Sequence, residues 1–367
     1  MHARPRQKIL PFFLPMSGCP HRCVYCDQYV ISGEAKAPGP EMIRAALAAF
    51  PPGEAAELAY YGGSFTCLPR RLQAAYLQAA EPALAEGRIT GIRISTRPDA
   101  VDADTCAFLR ENAVCTVELG IQSFSDDVLK RSGRAYDSST ARDACLRLRA
   151  HGLRLGIQLM TGLPGDREEL ARESMRISLE LKPELLRIYP TLVLENTGLA
   201  ALYRQGDYQP QSLTAAVALC ADLLALATAA RCPVQRIGLN PSPELEVALL
   251  AGPYHPAFGG LVREALRLEQ IRRLLRGYAP TAPAVLRFPR RELPLVFGQK
   301  RAGLLALGRE YPLLALEPDA ELPAGLLLFT QGDESRELSE EEYCCRRAEE
   351  MAEADADRAA ACKGGCL

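Results

Sequence analysis

"KILPFFLPMSGCPHRCVYCDQ", residues 8–28, joins a run of strand-forming residues to a turn with three cysteines in eight positions. Cys19, Cys23 and Cys26 are so close in sequence that two of them could pair only with strain, and the third would still lack a partner. The chain has 13 cysteines, an odd number, and no visible export signal, which favours reduced thiols and a cytoplasmic protein. The turn therefore predicts metal ligands or packed thiols rather than disulfides.

A strand, a turn and a helix recur along the first two thirds of the chain. Apolar and β-branched runs predict strands over residues 8–16, 57–63, 91–97, 115–123, 154–162 and 185–194. Segments with helical periodicity lie between them, including 41–50, 70–87 and 167–182. This alternation is typical of a parallel sheet with right-handed connections. The sequence therefore predicts an α/β fold built on a partial (βα)6 TIM-like barrel.

The last third of the chain has a different texture. Long helices are predicted over 211–232 and 260–277, and from residue 279 the sequence becomes richer in proline, with short strand-like runs. These runs predict a small C-terminal α+β module. The predicted domains are a core over 1–235, the module over 236–340 and a charged helical, cysteine-containing tail over 341–367.

Composition excludes several classes of protein. The 367 residues are 48% hydrophobic and 24% charged, with a net charge of -2, as in an ordinary globular protein. This near-neutral balance argues against a protein dominated by nonspecific phosphate binding, although it leaves room for a local basic patch. No stretch approaches the roughly 20 apolar residues of a transmembrane helix, so no membrane partner is expected.

The position of the cysteine turn points to chemistry. In a parallel α/β barrel the functional residues follow the carboxyl ends of the strands, and this turn follows the first strand. The spacing C-x3-C-x2-C fits three corners of a four-iron four-sulfur cluster and leaves one iron open. A zinc site with a remote fourth ligand and simple packed thiols are the alternatives. Gly18 and Pro20 beside the cysteines are unlike core residues.

The same motif, with Tyr25 before its last cysteine, resembles the signature of the radical S-adenosylmethionine superfamily. Further segments resemble that family at the ends of the next strands: "YYGGSFT" (60–66), "ISTRPD" (94–99), "VELGIQS" (117–123) and "MTGLPG" (160–165). Residues 187–210 are similar to a segment of the catalytic subunit of Elongator and its bacterial and archaeal relatives. The chain is therefore identified as resembling the Elongator radical domain, over about residues 8–260.

The resemblance implies two cofactors. Cys19, Cys23 and Cys26 would hold a four-iron four-sulfur cluster, and its open iron would chelate the amino and carboxylate groups of S-adenosylmethionine. One electron from a low-potential flavodoxin- or ferredoxin-like donor would break a carbon–sulfur bond, and the resulting 5′-deoxyadenosyl radical would abstract hydrogen from a substrate.

The resemblance also implies a set of cofactor-binding residues. They are Gly62, Gly63, Ser64, Thr66, Arg97, Glu118, Gln122 and Leu163. The glycines would let backbone approach the methionine, Arg97 would bind its carboxylate or the ribose, and Leu163 would shape the adenine wall through backbone contacts. Each has a simpler alternative. The glycines suit a turn, Ser64 and Thr66 suit helix caps, and Arg97 suits a salt bridge.

Glu118 and Gln122 lie on the predicted fourth strand, where the family resemblance makes them acceptors for the ribose hydroxyls or the amino group. An unpaired charge in the middle of a strand is costly, so Glu118 requires a partner. A buried pair with an arginine is the structural alternative for Glu118, and Gln122 carries the same ambiguity without a charge.

Three functional hypotheses follow. The first is a radical enzyme acting on an unidentified substrate, with tRNA suggested by the Elongator relatives. The second is a radical enzyme for a small molecule or peptide, and the third a noncatalytic iron–sulfur or zinc protein for electron transfer. The glycine pair and "TRPD" speak against the third. Residues 297–308 have the wrong glycine spacing for acetyl-coenzyme A, so no use of that cofactor is expected.

Two features stay open in the last third of the chain. Arg263, Arg267, Arg272, Arg273 and Arg276 predict either a nucleic-acid contact or a solvated basic face. Cys344, Cys345, Cys362 and Cys366 predict a second metal or cluster, a redox-active tail or incidental thiols. One unbroken helix over 340–361 would hold Cys345 and Cys362 about 25 Å apart.

Overall fold

The structure is a computed structural model that describes residues 8–34, 36–51, 56–278 and 282–364, with side chains to residue 358. Among these residues no helix has the length and hydrophobicity needed to cross a bilayer. The chain forms two compact units, Met1–Ser212 with Val234–Tyr254, and Leu213–Pro233 with His255–Leu367. The predicted domain boundaries after residues 235 and 340 do not coincide with this division.

The first unit is built on a parallel sheet. Its strands are β1 (Lys8–Leu14), β2 (Ala56–Gly62), β3 (Gly91–Thr96), β4 (Val114–Gln122), β5 (Arg154–Thr161), β6 (Leu185–Pro190), β7 (Val193–Leu194), β8 (Val234–Ile237) and β9 (Leu249–Ala251). Seven strands pair in the order β1-β2-β3-β4-β5-β6-β8 and curl into a half-barrel, while β7 and β9 form a small antiparallel pair. The predicted partial TIM-like barrel is confirmed.

The helices connect these strands and continue into the second unit. They are α1 (Gln28–Ser32), α2 (Pro40–Ala49), α3 (Arg70–Gln78), α4 (Glu81–Ala85), α5 (Ala103–Glu111), α6 (Asp126–Arg131), α7 (Ser138–Ala150), α8 (Glu168–Glu180), α9 (Gly198–Gln205), α10 (Leu213–Ala229), α11 (Pro243–Ala248), α12 (Phe258–Leu274), α13 (Leu293–Phe297), α14 (Ala302–Glu310) and α15 (Glu340–Gly364). The segment predicted as one helix over 70–87 is two helices, because Pro82 lies in the first turn of α4, where a proline starts a helix.

Two strand predictions needed adjustment. The segment predicted as one strand over 185–194 is divided, because β6 ends at Pro190 and Val193–Leu194 form β7, which pairs with β9 instead. The predicted six-strand core also lacked β8, which pairs with β6 as the seventh strand. β4 is buried along almost its whole length, as expected for a central strand of a sheet covered on both faces.

The second unit contains a mixed sheet of β10 (Ala284–Pro289), β11 (Leu314–Asp319), β12 (Leu326–Gln331) and β13 (Glu334–Ser339), in the order β11-β10-β12-β13. This is the predicted small α+β module. It also includes α10, which the sequence had assigned to the core. α10 is apolar on nearly all sides and packs against α12 and α15, so burial rather than chain position decides its membership.

α15 bears on the tail cysteines. It runs without a break over Glu340–Gly364, so Cys345 and Cys362 are about 25 Å apart along it. Cys344 is fully buried, and burial raises the pKa of its thiol to about 12. Cys366 lies outside the described residues. Cys345 and Cys362 are therefore too far apart along α15 to bind the same metal ion.

Candidate active site

The cysteine loop occupies residues 15–27, between β1 and α1, and its three thiols are free and half-buried. The Asp27 side chain caps α1, accepting a hydrogen bond from the N–H of Tyr29 at 3.1 Å. Gln28 fastens the loop: its Nε2 donates to the carbonyl of Gly62 at 2.6 Å, and its Oε1 accepts from the N–H of Met16 at 2.5 Å. Gln28 was not among the predicted site residues.

The glycine pair is required by the path of this loop. A Cβ on Gly63 would lie 1.9 Å from the carbonyl oxygen of Ser17, closer than any real contact. Gly62 has a φ of +100°, and its Cβ would meet the backbone of Leu14 at 3.1 Å. The cysteine loop therefore crosses the end of β2 at backbone contact. The turn alternative holds for this pair, although both glycines also line the cavity beneath the loop.

That cavity has a volume of about 710 Å³ and opens inside the first unit at the carboxyl ends of the strands. The predicted site residues that line it are Cys19, Cys23, Cys26, Gly62, Gly63, Arg97 and Gln122. The predicted residues Ser64, Thr66, Glu118 and Leu163 are not part of its wall. Within the described ranges, no three histidine, cysteine or carboxylate side chains converge on a single metal-ion position. The structure thus brings the three thiols to one cavity without gathering them around one ion.

Ser64 and Thr66 support the wall from behind. Ser64 is fully buried, and its hydroxyl lies 3.1 Å from that of Thr96, which does line the cavity. The Thr66 hydroxyl contacts the same Thr96 oxygen at 2.5 Å. Ser64 precedes a short 3-10 turn without a side-chain cap. Both hydroxyls therefore contact Thr96, a residue of the cavity wall.

Leu163 was predicted to shape an adenine wall through backbone contacts, and the structure buries its side chain in a hydrophobic cluster. This cluster contains Tyr25, Val193 and Leu199, and Cys23 and Cys26 pack against it. Leu163 therefore supports the cysteine loop through packing.

Arg97 forms the salt bridge that was its alternative. Its Nε and Nη2 donate to the two carboxylate oxygens of Asp99 at 2.9 and 2.8 Å. Although burial acts in the opposite direction, the hydrogen bonds from Arg97 hold the pKa of Asp99 below its usual value. The guanidinium is almost fully buried and still forms part of the cavity wall.

Glu118 is enclosed by partners of its own. Its carboxylate accepts from Arg93 Nη1 at 2.8 Å and from Arg187 Nε at 2.7 Å. The Tyr61 hydroxyl and the Gln158 amide each donate to it at 3.1 Å. Burial alone would raise the pKa of Glu118, but the two arginines outweigh it and lower the pKa. Glu118 therefore forms the buried arginine pair that was its structural alternative.

Gln122 differs from Glu118, because one of its polar atoms has no partner in the described structure. It ends β4 with a φ of +71°, in the left-handed region that is costly for a residue with a side chain. Its Oε1 is buried in the described structure without a hydrogen-bond partner, and the residue lines the cavity. An orphaned acceptor is unfavourable unless a ligand supplies the donor. S-adenosylmethionine carries such donors in its ammonium and hydroxyl groups, and thiols are the ligands of an iron–sulfur cluster, so the residues fit both cofactors.

Arg134 is a cavity residue that the sequence interpretation missed. Its Nη1 donates to the Cys23 sulfur at 3.2 Å and to the Tyr25 hydroxyl at 3.4 Å. Its Nε donates to the Tyr136 hydroxyl at 2.8 Å, and Nη2 bonds to the carbonyl of Gly120. Burial raises the pKa of Cys26 to about 12, so a metal must displace the proton there.

The arginines of α12 are mostly neutralised within the second unit. Arg267 bonds to Glu292 and Glu340, Arg272 to Glu269 and Glu310, and Arg273 to Glu350. Arg267 is also buried. Three of the five arginines of the predicted basic stripe are therefore paired with carboxylates, while Arg263 and Arg276 are exposed.

Comparisons with known proteins agree with this site. Residues 13–176 match the family model of the radical SAM superfamily, and residues 183–267 match the radical SAM C-terminal domain. The archaeal Methanocaldococcus infernus Elp3, with its N-terminus deleted, shares the fold. It superposes with a TM-score of 0.57 and 20% identity, covering 72% of this chain and 63% of that one.

Two curated relatives extend the comparison. A tRNA uridine(34) acetyltransferase of Dehalococcoides mccartyi (strain CBDB1) is 27% identical over 246 residues, covering 57% of this chain and 54% of that protein. The heme chaperone HemW of Escherichia coli (strain K12) is 28% identical over 204 residues, covering 51% and 52%. The chain thus spans about half the length of these relatives.

The two family matches lie end to end, and the first contains the cysteine loop and the cavity strands β2–β5. The chain belongs to the radical S-adenosylmethionine superfamily of enzymes, which bind a four-iron four-sulfur cluster and S-adenosylmethionine.

Proposed function

We propose that Cys19, Cys23 and Cys26 hold the four-iron cluster and that the 710 Å³ cavity binds S-adenosylmethionine. The observation that carries this proposal is the convergence of three free thiols and the orphaned oxygen of Gln122 on one cavity. When bound, the cluster supplies the electron that cleaves S-adenosylmethionine reductively to a 5′-deoxyadenosyl radical.

The residues of the chain have distinct parts in this proposal. Gln122 accepts a hydrogen bond from the ammonium or ribose of S-adenosylmethionine. Arg134 keeps a positive charge beside Cys23, and Gln28 fixes the loop over the glycine pair. A low-potential flavodoxin- or ferredoxin-like protein delivers the electron, which suits a reducing cytoplasm in which the free thiols stay reduced.

For the substrate we propose a tRNA. Support comes from the similarity to a tRNA uridine(34) acetyltransferase over 57% of this chain. Because the chain spans 54% of that relative, the proposal covers only the radical step at the nucleotide and not an acetyl transfer.

The test is anaerobic reconstitution with iron and sulfide, followed by measurement of 5′-deoxyadenosine after adding S-adenosylmethionine and reductant. Bulk tRNA from cells should increase the yield, and the same tRNA digested with ribonuclease should not. Equal yields with intact and digested tRNA would exclude a polymeric RNA substrate.

The similarity to a heme chaperone favours a second candidate, a small-molecule ligand such as heme. Heme would then bind the reconstituted protein with a saturable spectral change, while tRNA would leave the yield of 5′-deoxyadenosine unchanged. Those two results together would replace the tRNA proposal.

A further inference from the structure

The charge of the cavity wall is one-sided. In the part of the chain that the structure describes, no aspartate or glutamate lines the cavity. Its basic wall residues are Lys8, Arg97, Arg134, Arg187 and Arg236. A cavity with cations and no carboxylates in its wall favours an anionic ligand.

Most of these cations already interact with other side chains of the protein. Arg97 is held by Asp99, Arg187 by Glu118, and Arg134 by the Tyr136 hydroxyl. Lys8 lies over the ring of Phe50, 5.0 Å from its centroid. Because these four cations already have partners, they have little capacity to bind a further anion. None of them therefore indicates where a substrate binds.

Arg236 is different. It is half-buried on β8, and none of the described carboxylates forms an ion pair with it. Its register partner on β6 is Arg187, and both side chains line the same cavity. Like charges directly opposite each other on paired strands are unfavourable. Glu118 pairs with Arg187 but not with Arg236, so an anion beside Arg236 would be favourable.

The surroundings increase that excess of positive charge. The adjacent network of ion pairs has fewer negative than positive groups. It contains the carboxylates of Glu57 and Glu118 and the guanidiniums of Arg93, Arg154 and Arg187. The Tyr189 hydroxyl lies close enough to both Arg187 and Arg236 to interact with their charges. Burial raises the pKa of its hydroxyl, and Arg187 and Arg236 both act against that rise from nearby.

We propose that Arg236, beside Arg187, binds a phosphate group of the RNA substrate. The inference rests on the proposed tRNA substrate and adds a recognition residue to it. A planar guanidinium pairs with phosphate through two parallel hydrogen bonds. The phosphate would occupy the β6–β8 side of the cavity and leave the cysteine loop to the cofactors.

The experiment measures binding of a short single-stranded RNA with a central uridine to the reconstituted protein with S-adenosylmethionine, at several salt concentrations. Arg236→Gln should weaken binding roughly tenfold, the value of one charge-assisted hydrogen bond. It should also lower the slope of log affinity against log salt by about one. Arg236→Lys, which keeps the charge, should bind with intermediate affinity and retain the slope.

Arg44→Gln is the matched control, because Arg44 lies on α2 away from the cavity wall and the substitution removes the same charge. Equal RNA affinity and salt slope in Arg236→Gln and wild type would overturn the inference. A second result would also overturn it. If Arg236→Gln weakened the binding of an RNA with uncharged methylphosphonate linkages as much as it weakened the binding of ordinary RNA, Arg236 would not be contacting a phosphate charge. Binding of succinate but not RNA would reassign the subsite to a carboxylated small molecule.

A separate readout distinguishes this inference from the proposed function. The readout is the affinity for S-adenosylmethionine measured without RNA: a weaker affinity in Arg236→Gln than in wild type would mean that Arg236 holds S-adenosylmethionine instead. If tRNA failed to stimulate wild-type turnover while Arg236→Gln still weakened RNA binding, the tRNA reaction would fail and the phosphate subsite would stand.

Discussion

Two polar regions share the interior of the half-barrel, and they differ in how their groups are satisfied. Around Glu118, two arginines, a tyrosine and a glutamine surround the carboxylate. At the cavity, the Gln122 oxygen has no partner in the described structure, and its backbone has a φ of +71°. The first region uses its polar groups to hold strands together, whereas the second keeps capacity for a ligand.

The strongest test of the ligand side removes its thiols. Replacing Cys19, Cys23 and Cys26 with alanine should abolish the brown chromophore, the bound iron and all production of 5′-deoxyadenosine, since no other ligand set is proposed for the cluster. Iron analysis and product assay would measure this. Cys345→Ala, on α15, should keep both signals. Continued 5′-deoxyadenosine formation by the triple variant would defeat the assignment.

The structural side predicts a large loss of stability. Glu118→Gln should lower the free energy of unfolding by about 3–5 kcal/mol, because it leaves buried guanidiniums without their counter-charge. Denaturant unfolding of the metal-free variant and wild type would measure the difference. Glu310→Gln, in the half-exposed pair with Arg272, should cost no more than about 1 kcal/mol. Comparable losses in the two variants would remove the contrast.

Asp166 sharpens the contrast, because it is a carboxylate held by backbone N–H groups rather than by guanidiniums. It accepts hydrogen bonds from Gly162 and Arg167 at 2.8 and 2.9 Å, yet burial raises its pKa from 3.8 to about 6. The folded protein therefore binds this proton more tightly than the unfolded chain, and the stability that this gives is lost as pH rises through about 6.

Asp166→Asn should remove this loss of stability at rising pH. In wild type the loss amounts to roughly 2–3 kcal/mol of unfolding free energy between pH 3.8 and about 6. Denaturant unfolding at a series of pH values would measure it. Asp137→Asn is the control of opposite sign, because hydrogen bonds at the start of α7 lower the pKa of Asp137 to about 2. The stability that Asp137 gives is lost as pH falls. Identical pH profiles for Asp166→Asn and wild type would contradict the assignment.

The smallest effect concerns Gln122 itself. Gln122→Gly should relieve the positive φ and raise the free energy of unfolding by up to about 1 kcal/mol. The same change should weaken S-adenosylmethionine binding roughly tenfold, because the acceptor is lost. Calorimetry and denaturation would measure the two quantities. Ala113→Gly, at a φ of +60° on an exposed turn, should share the first effect only. A parallel loss of cofactor affinity in both variants would implicate backbone rather than the side chain.

The sequence was sufficient to predict six of the seven strands of the parallel sheet and the position of the cysteine turn. Apolar runs such as 115–123 and 154–162 indicate strands through their local pattern, and the cysteine turn is recognised by its spacing. β8 was not predicted, because its four residues, Val234–Ile237, are too few to show the alternating pattern of a strand. α10 was assigned to the wrong unit because its hydrophobicity says that it is buried but not against which partner.

Site chemistry was less predictable because its contacts are distant in sequence. The two arginine partners of Glu118 are 25 and 69 residues away, on β3 and β6, so its two interpretations could not be separated from the sequence. Arg134 reaches Cys23 across 111 residues, and nothing local marks it. Gln28 is adjacent to the motif, but its role depends on the carbonyl of Gly62.

The open sheet has two edge strands, and open edges invite pairing between molecules. On β1, Pro11 lies in mid-strand and has no N–H to offer a further strand. β8 is four residues long, and its register with β6 shifts after Leu186. Both edges thus resist growth into intermolecular sheets. An enzyme that keeps its barrel open for a ligand can in this way remain dispersed at high concentration, and Pro11 contributes to colloidal behaviour as well as to the fold.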